Sequence, residues 1–151
     1  MEPSLRRSGA VDISDVIIEK LRAAVADRGL RVTPLRLDLE RDPLPAAQYD
    51  VIVQFNYLQR SLFEPLARAL APGGILLLET VTRAHVVELG NDFDPRFLLD
   101  TDELAASFPD LDVLRSQEGV TERAGRPRAV ASLVARRGTQ AVGPGRARAA
   151  G

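Results

Sequence analysis

Two apolar runs separated by a helical stretch constrain this chain most. Tyr49-Asp50-Val51-Ile52-Val53 is a compact β-branched run, and Ile75-Leu76-Leu77-Leu78 is apolar without alternation. Between them Leu58, Leu62, Leu66 and Leu70 step by four, which is helical spacing. A strand apolar on both faces must be covered on both faces, the condition of a parallel sheet in an α/β layer fold. Pro65 is tolerable only in a first turn, where amides lack helical partners, so the helix is expected to start near Ser61. Ala71-Pro72-Gly73-Gly74 reads as the turn into the second strand.

The same alternation extends toward the N-terminus. Val11-Asp12-Ile13 reads as a strand end, with Ser14 as helix N-cap and Asp15 in the first turn. Ile17, Ile18, Leu21, Ala24 and Val25 form one apolar helical face, and Gly29 is the C-terminal stop. Leu30 to Leu37 alternates and ends at Asp38, after which Pro43 and Pro45 mark a loop. The last third differs. Thr82 to Asp100 reads as irregular, Thr101 to Leu104 as a capped short helix, and Leu111 to Val120 and Arg128 to Ala135 as an antiparallel hairpin turning at Thr121 to Pro127. The expected fold is an α/β, Rossmann-like, doubly wound and mostly parallel sheet with a C-terminal antiparallel hairpin. The expected organisation is an N-terminal segment over residues 1–9, a domain over 10–137 and a disordered tail over 138–151.

Composition narrows the function. With 151 residues the chain is long enough for one domain with a core. Twenty basic residues against 21 acidic give a net charge of −1, so there is no electrostatic case for nucleic acid or an anionic membrane. The absence of cysteine excludes disulfides, thiolate metal sites and cysteine nucleophiles. No apolar run approaches the roughly 20 residues of a membrane span, and no apolar stretch follows Arg6-Arg7 to make a signal peptide. A cytoplasmic protein, monomeric or weakly homodimeric, is expected.

Ligands of doubly wound sheets sit at the C-terminal ends of the parallel strands. Asp12, Asp38 and the stretch Gln54-Phe55-Asn56-Tyr57 occupy three such ends. The ordered set VDIS, LRLDLERDPLP and YDVIVQFNYLQRSLFEPLARALAPGGILLLET resembles class I S-adenosylmethionine-dependent methyltransferases, with small tellurite-resistance-type members the nearest in look. The resemblance covers roughly Ala10 to Arg137. It implies S-adenosylmethionine as cofactor and a small-molecule methyl acceptor. It implies that Asp12 accepts both ribose hydroxyls, a task suited to a bidentate, acceptor-only carboxylate. Ile13 would pack on the adenine face. Asp38 would meet the adenine amino group, with Leu39 offering its backbone N–H. Gln54, Phe55 and Asn56 would lie beside the methionine end, and the loop from Val81 to Leu99 would be a lid or an acceptor-site wall. No catalytic side chain and no metal is implied, because methyl transfer from a sulfonium needs alignment and water exclusion above all.

One departure stands out. Families of this type carry an earlier strand ending in an acidic, glycine-rich turn, and none of the 11 glycines forms such a cluster before Asp12. The family's first strand and helix are therefore expected to be missing, and the chain reads as the back portion of a methyltransferase. A second reading keeps the fold as a non-catalytic remnant that binds no cofactor. A third is a nicotinamide-dependent oxidoreductase, since a strand-end acid also serves that ribose. The LAPGG turn, the hairpin and the lack of a Tyr-x-x-x-Lys pair argue against it: Lys20 is the only lysine.

Plainer readings stand beside these. Asp12 can be a helix N-terminal acid, Asp38 a solvated loop acid, and Phe55 and Tyr57 core aromatics. His85 is expected in a surface or lid position. Asp92, Asp94, Asp100, Asp102 and Glu103 lack calcium-loop spacing and are expected to be a solvated loop and a helix cap. Leu58, Leu62, Leu66 and Leu70 are expected to be core.

Overall fold

The computed structural model describes residues 8–44 and 46–139. The expected tail therefore lies outside the described residues from position 140 onward, as do positions 1–7 of the expected N-terminal segment. Two compact units divide the chain after Pro43.

In the first unit β1 (Ser8–Asp12) pairs in parallel with β2 (Val32–Arg36), in a register running from Ser8 opposite Val32 to Asp12 opposite Arg36. Pro34 fits in β2 because that strand is paired on one side only. Helix α1 (Asp15–Arg28) joins the strands and begins as expected, with Ser14 Oγ accepting from the Ile17 N–H at 3.4 Å. It stops at Gly29, whose φ of 59° is the left-handed C-cap that glycine adopts without strain. The apolar stripe is less buried than its spacing suggests. Ile18 is 2% exposed but Ile17 is 45% exposed. A two-stranded sheet is too narrow to cover the whole stripe.

The second unit holds four strands in the order β3-β4-β6-β5: β3 (Tyr49–Phe55), β4 (Leu70–Val81), β5 (Leu111–Arg123) and β6 (Arg126–Arg137). β3 and β4 are parallel, while β6 runs antiparallel to both β4 and β5. Across the described residues of both units two strand pairings are parallel, β1–β2 and β3–β4, and the two antiparallel ones are those made by the C-terminal hairpin. Among the described residues β1 and β2 are the edges of the first sheet, and β3 and β5 those of the second.

Helix α2 (Phe63–Ala69) follows a 3-10 turn at Arg60–Leu62, which places Pro65 in the first turn. Leu58, Leu62, Leu66 and Leu70 are all buried. Leu70 belongs to β4, not to the helix, and pairs with Tyr49 before the register jumps to Val51 opposite Ile75. The APGG segment bulges out between those pairs. Gly74 is required there: a Cβ would sit 2.8 Å from the Ala71 carbonyl oxygen and 2.9 Å from that of Tyr49. Leu76 and Leu78 face the core with Leu133, Ala135, Leu104 and Phe108. Phe63 stacks obliquely on Phe108, ring centroids 5.1 Å apart.

Three expectations need adjusting. The hairpin turn is only Ala124-Gly125, at φ 52° and 72°, a two-residue turn of the primed type, so both strands run further than expected. The segment 82–100 is not wholly irregular, since it holds α3 (Ala84–Val87) and a 3-10 turn at Pro95–Phe97. Its two ends meet in a parallel bridge between Thr82 and Leu99. Helix α4 (Glu103–Ala106) forms, but the side chain of its N-cap, Asp102, makes no capping bond. Glu103 instead reaches back to the Asp100 N–H at 2.8 Å, satisfying an amide at the helix entrance. No helix among the described residues is long and apolar enough to cross a membrane.

Candidate functional site

The first unit brings Asp12 and Asp38 to the same end of adjacent parallel strands. The Leu37 N–H donates to the Asp12 carbonyl oxygen at 3.2 Å, which carries the chain from β2 to Asp38 beside β1. Asp12 Oδ1 accepts from the Ser14 N–H at 2.8 Å, so one carboxylate oxygen already shapes the strand-to-helix turn. Ile13 is 55% exposed, an apolar side chain held in water beside that acid. Its carbonyl accepts from Arg36 Nε at 3.2 Å, and Arg36 also pairs with Asp15 at 2.8 Å.

Asp38 is not simply solvated. Its Oδ1 accepts from the Glu40 N–H at 3.0 Å and its carbonyl from the Arg41 and Asp42 N–H groups, while its own N–H donates to Asp42 Oδ2 at 2.8 Å. Leu39, half-buried, sits inside this tight turn.

In the second unit Gln54 and Phe55 are the last residues of β3 rather than the segment beyond it. Gln54 Nε2 donates to the Tyr57 carbonyl at 2.9 Å and so closes the turn after the strand. Phe55 is 53% exposed and is no core aromatic. Asn56 adopts a left-handed φ of 56°, a conformation asparagine tolerates better than most residues, and its N–H donates to the Glu79 carbonyl at 2.9 Å. Behind this turn lies a half-open pocket of about 260 Å³ lined by Asn56, Tyr57, Leu58, Thr80, Phe93 and Phe97. It sits at the C-terminal end of the parallel pair β3–β4, where ligands of such sheets bind.

Several residues here escaped the sequence reading. His85 is buried, not on the surface. Its Nδ1 accepts from the Ala129 N–H at 3.4 Å, and Phe93 meets the ring edge-on at 6.0 Å. Burial, and secondarily the charge of Arg128, holds its pKa below 6.5. Arg60 is a second. It forks onto the Glu103 carboxylate and donates to the carbonyls of Arg96 at 3.1 Å and Leu98 at 3.0 Å. The hydrogen bond from Arg60 is the main reason the Glu103 carboxyl is held below its ordinary range. The acids expected to be merely solvated are largely ion-paired: Asp94 with Arg96, Asp100 with Arg83 and Glu103 with Arg60. The signal was present as arginines interleaved with those acids, but pairing partners 17 and 43 residues apart cannot be matched from sequence.

The fold these elements define is shared with solved S-adenosylmethionine-dependent methyltransferases. Residues 5–74 match the family model described as the methyltransferase domain. Among solved structures, TehB from Haemophilus influenzae aligns with a TM-score of 0.72 at 17% identity, over 88% of this chain and 50% of that one. An S-adenosylmethionine-dependent methyltransferase from Mesorhizobium loti aligns at 0.68 with 18% identity, over 87% and 80%. The [4+2]-cyclase SpnF aligns at 0.70 with 18% identity, over 89% and 67%. No curated protein matches the sequence. The resemblance read from the residues is thus supported by the fold, and a cyclase among the neighbours shows that the fold alone does not dictate the reaction.

Proposed function

We propose that this chain binds S-adenosylmethionine and transfers its methyl group to a small molecule. The observation that carries this reading is the pairing of Asp12 with exposed Ile13 at the end of β1, beside Asp38 at the end of β2. A ribose offers two hydroxyl donors, and the Asp12 carboxylate keeps Oδ2 and a second lone pair on Oδ1 beyond the one engaged by the Ser14 N–H. A purine needs a flat apolar neighbour, and Ile13 would bury its exposed surface against one at about 25 cal/mol per Å². Asp38 keeps acceptor capacity for an amino group, since a carboxylate has about four lone-pair sites, and Leu39 brings its backbone into the same turn. Gln54, Phe55 and Asn56 would flank the reacting end.

The cofactor, when bound, supplies an electrophilic methyl on a sulfonium. The chain's own residues bind and orient. Asp12, Ile13, Asp38 and Leu39 would hold the cofactor's nucleoside end, and Gln54, Phe55 and Asn56 its methionine end. Alignment and exclusion of water supply the rate, which is why no acid–base pair is needed. The net charge of −1 supports a small acceptor over nucleic acid or an anionic membrane. Cytoplasmic residence and a monomeric or weakly dimeric state belong to the same proposal.

The test is transfer of label from methyl-tritiated S-adenosylmethionine to a panel of small acceptors. Label in an extractable product that is lost in Asp12→Ala supports the proposal. Cofactor binding without transfer to any acceptor would leave a binding protein of this fold. A scaffold of this fold that binds no cofactor is the second reading, which absence of both binding and transfer would support.

A further inference from the structure

We infer that the cavity beyond β3 and β4 takes a compact, uncharged, apolar molecule of one or two rings, and that Phe93 and Phe97 set this preference. The inference rests on the methyl-transfer reading only in calling that molecule the acceptor. Size gives the first bound. An apolar cavity of about 150 Å³ holds benzene, so about 260 Å³ admits a somewhat larger molecule.

Lining chemistry gives the second. Tyr57, Leu58, Phe93 and Phe97 supply apolar surface, and Asn56 and Thr80 supply the few polar atoms that orient a ligand. No charged side chain is among the six. An oxyanion entering this half-open pocket would lose part of its hydration without the cationic fork or amide cradle that compensates such a loss. The nearby arginines are already committed. Arg96 lies on both oxygens of Asp94 and over the Phe97 ring at 5.6 Å. Arg83 is paired with Asp100, and Arg60 with Glu103 and two carbonyls.

The two phenylalanines are also held in place. Phe97 ends a 3-10 turn that Asp94 caps through the Arg96 N–H at 2.9 Å, and Arg60 grips the carbonyls on either side of it. Phe93 leans on buried His85. Yet Phe93 is 37% and Phe97 43% exposed, so two large rings stand ready at the cavity with surface that a ligand would cover.

The test is saturation-transfer NMR on the full 151-residue chain without cofactor. Indole and phenol are the neutral probes, and selenite and inorganic phosphate are the anionic competitors. Saturation of both neutral probes is expected, weakened about fivefold or more by Phe93→Ala or Phe97→Ala and unaffected by either anion. Val87→Ala, at an 81% exposed position outside the cavity, should leave binding unchanged. Both phenylalanines are partly exposed, so their variants should keep the parent melting temperature, which is measured alongside. Failure of both probes to bind, binding indifferent to both substitutions, or displacement by selenite or phosphate would each overturn the inference. Because cofactor is absent, a chain that binds indole but not S-adenosylhomocysteine keeps the cavity assignment and loses the methyl-transfer reading. The opposite pattern does the reverse.

Discussion

Asp12 has two tasks, and substitutions can separate them. One oxygen holds the Ser14 N–H and the other is proposed for a ribose. Asp12→Asn keeps an acceptor for Ser14 but replaces the second oxygen by a donor. Asp12→Ala removes both. Each should weaken S-adenosylhomocysteine by about 1–3 kcal/mol, read by calorimetric titration, but only the alanine variant should also lower the melting temperature. Equal affinity in all three proteins would make Asp12 a structural acid. His85 gives a pH signature of its own. Its folded-state pKa lies below 6.5, so between the two values the unfolded chain holds the extra proton. Its stabilising contribution is full above about pH 6.5 and is lost as pH falls toward the folded value. Urea midpoints measured from pH 7.5 downward should therefore fall more steeply in the parent than in His85→Gln. At this scale the strand-end acids were legible, because an acid after a short apolar run is a local pattern. The burial of His85 was not, because the Ala129 amide it accepts from lies 44 residues on.

Elements were legible where their signals are local. The cap at Ser14 and the stop at Gly29 formed as read, and the leucines before β4 are all buried, although Leu66 alone of the four lies in α2. Failures fall where pairing decides. The hairpin strands extend through polar residues at 121–123 because β5 is an exposed edge strand, where alternation carries no information. Gly74 shows how pairing fixes a residue. Gly74→Ala places a methyl against two carbonyl oxygens and should cost about 1–3 kcal/mol in chemical denaturation, whereas Gly119→Ala, with open space around it, should cost far less. The Arg60–Glu103 fork ties the turn before α2 to the segment 96–103. Glu103→Gln should speed amide hydrogen exchange in residues 93–103 while leaving the β4–β6 ladder protected. Uniform exchange across both would show that the fork does not organise the loop. Since the Glu103 pKa is depressed, its contribution is present above the ordinary carboxyl value of 4.5 and is lost as pH falls through the folded one.

At the scale of the molecule, the order of strands and helices could be read from hydrophobic period alone, and the fold class followed from it. The described strands form a two-stranded and a four-stranded sheet. β3, at one edge of the four-stranded sheet, carries apolar surface in water: Val51, Val53 and Phe55 on alternate positions are each more than half exposed. A patch of this kind should bind anilinonaphthalene sulfonate in the folded chain. Val53→Lys should reduce that fluorescence while changing stability by no more than about 0.5 kcal/mol. Unchanged fluorescence would place the dye elsewhere. The claim on which the rest depends is that this chain holds the cofactor. It is tested by calorimetric titration of the folded chain with S-adenosylhomocysteine. One-to-one binding in the micromolar range, lost in Asp12→Ala, is the expected result. A folded protein that releases no heat, with Asp12→Ala indistinguishable from it, would contradict the assignment.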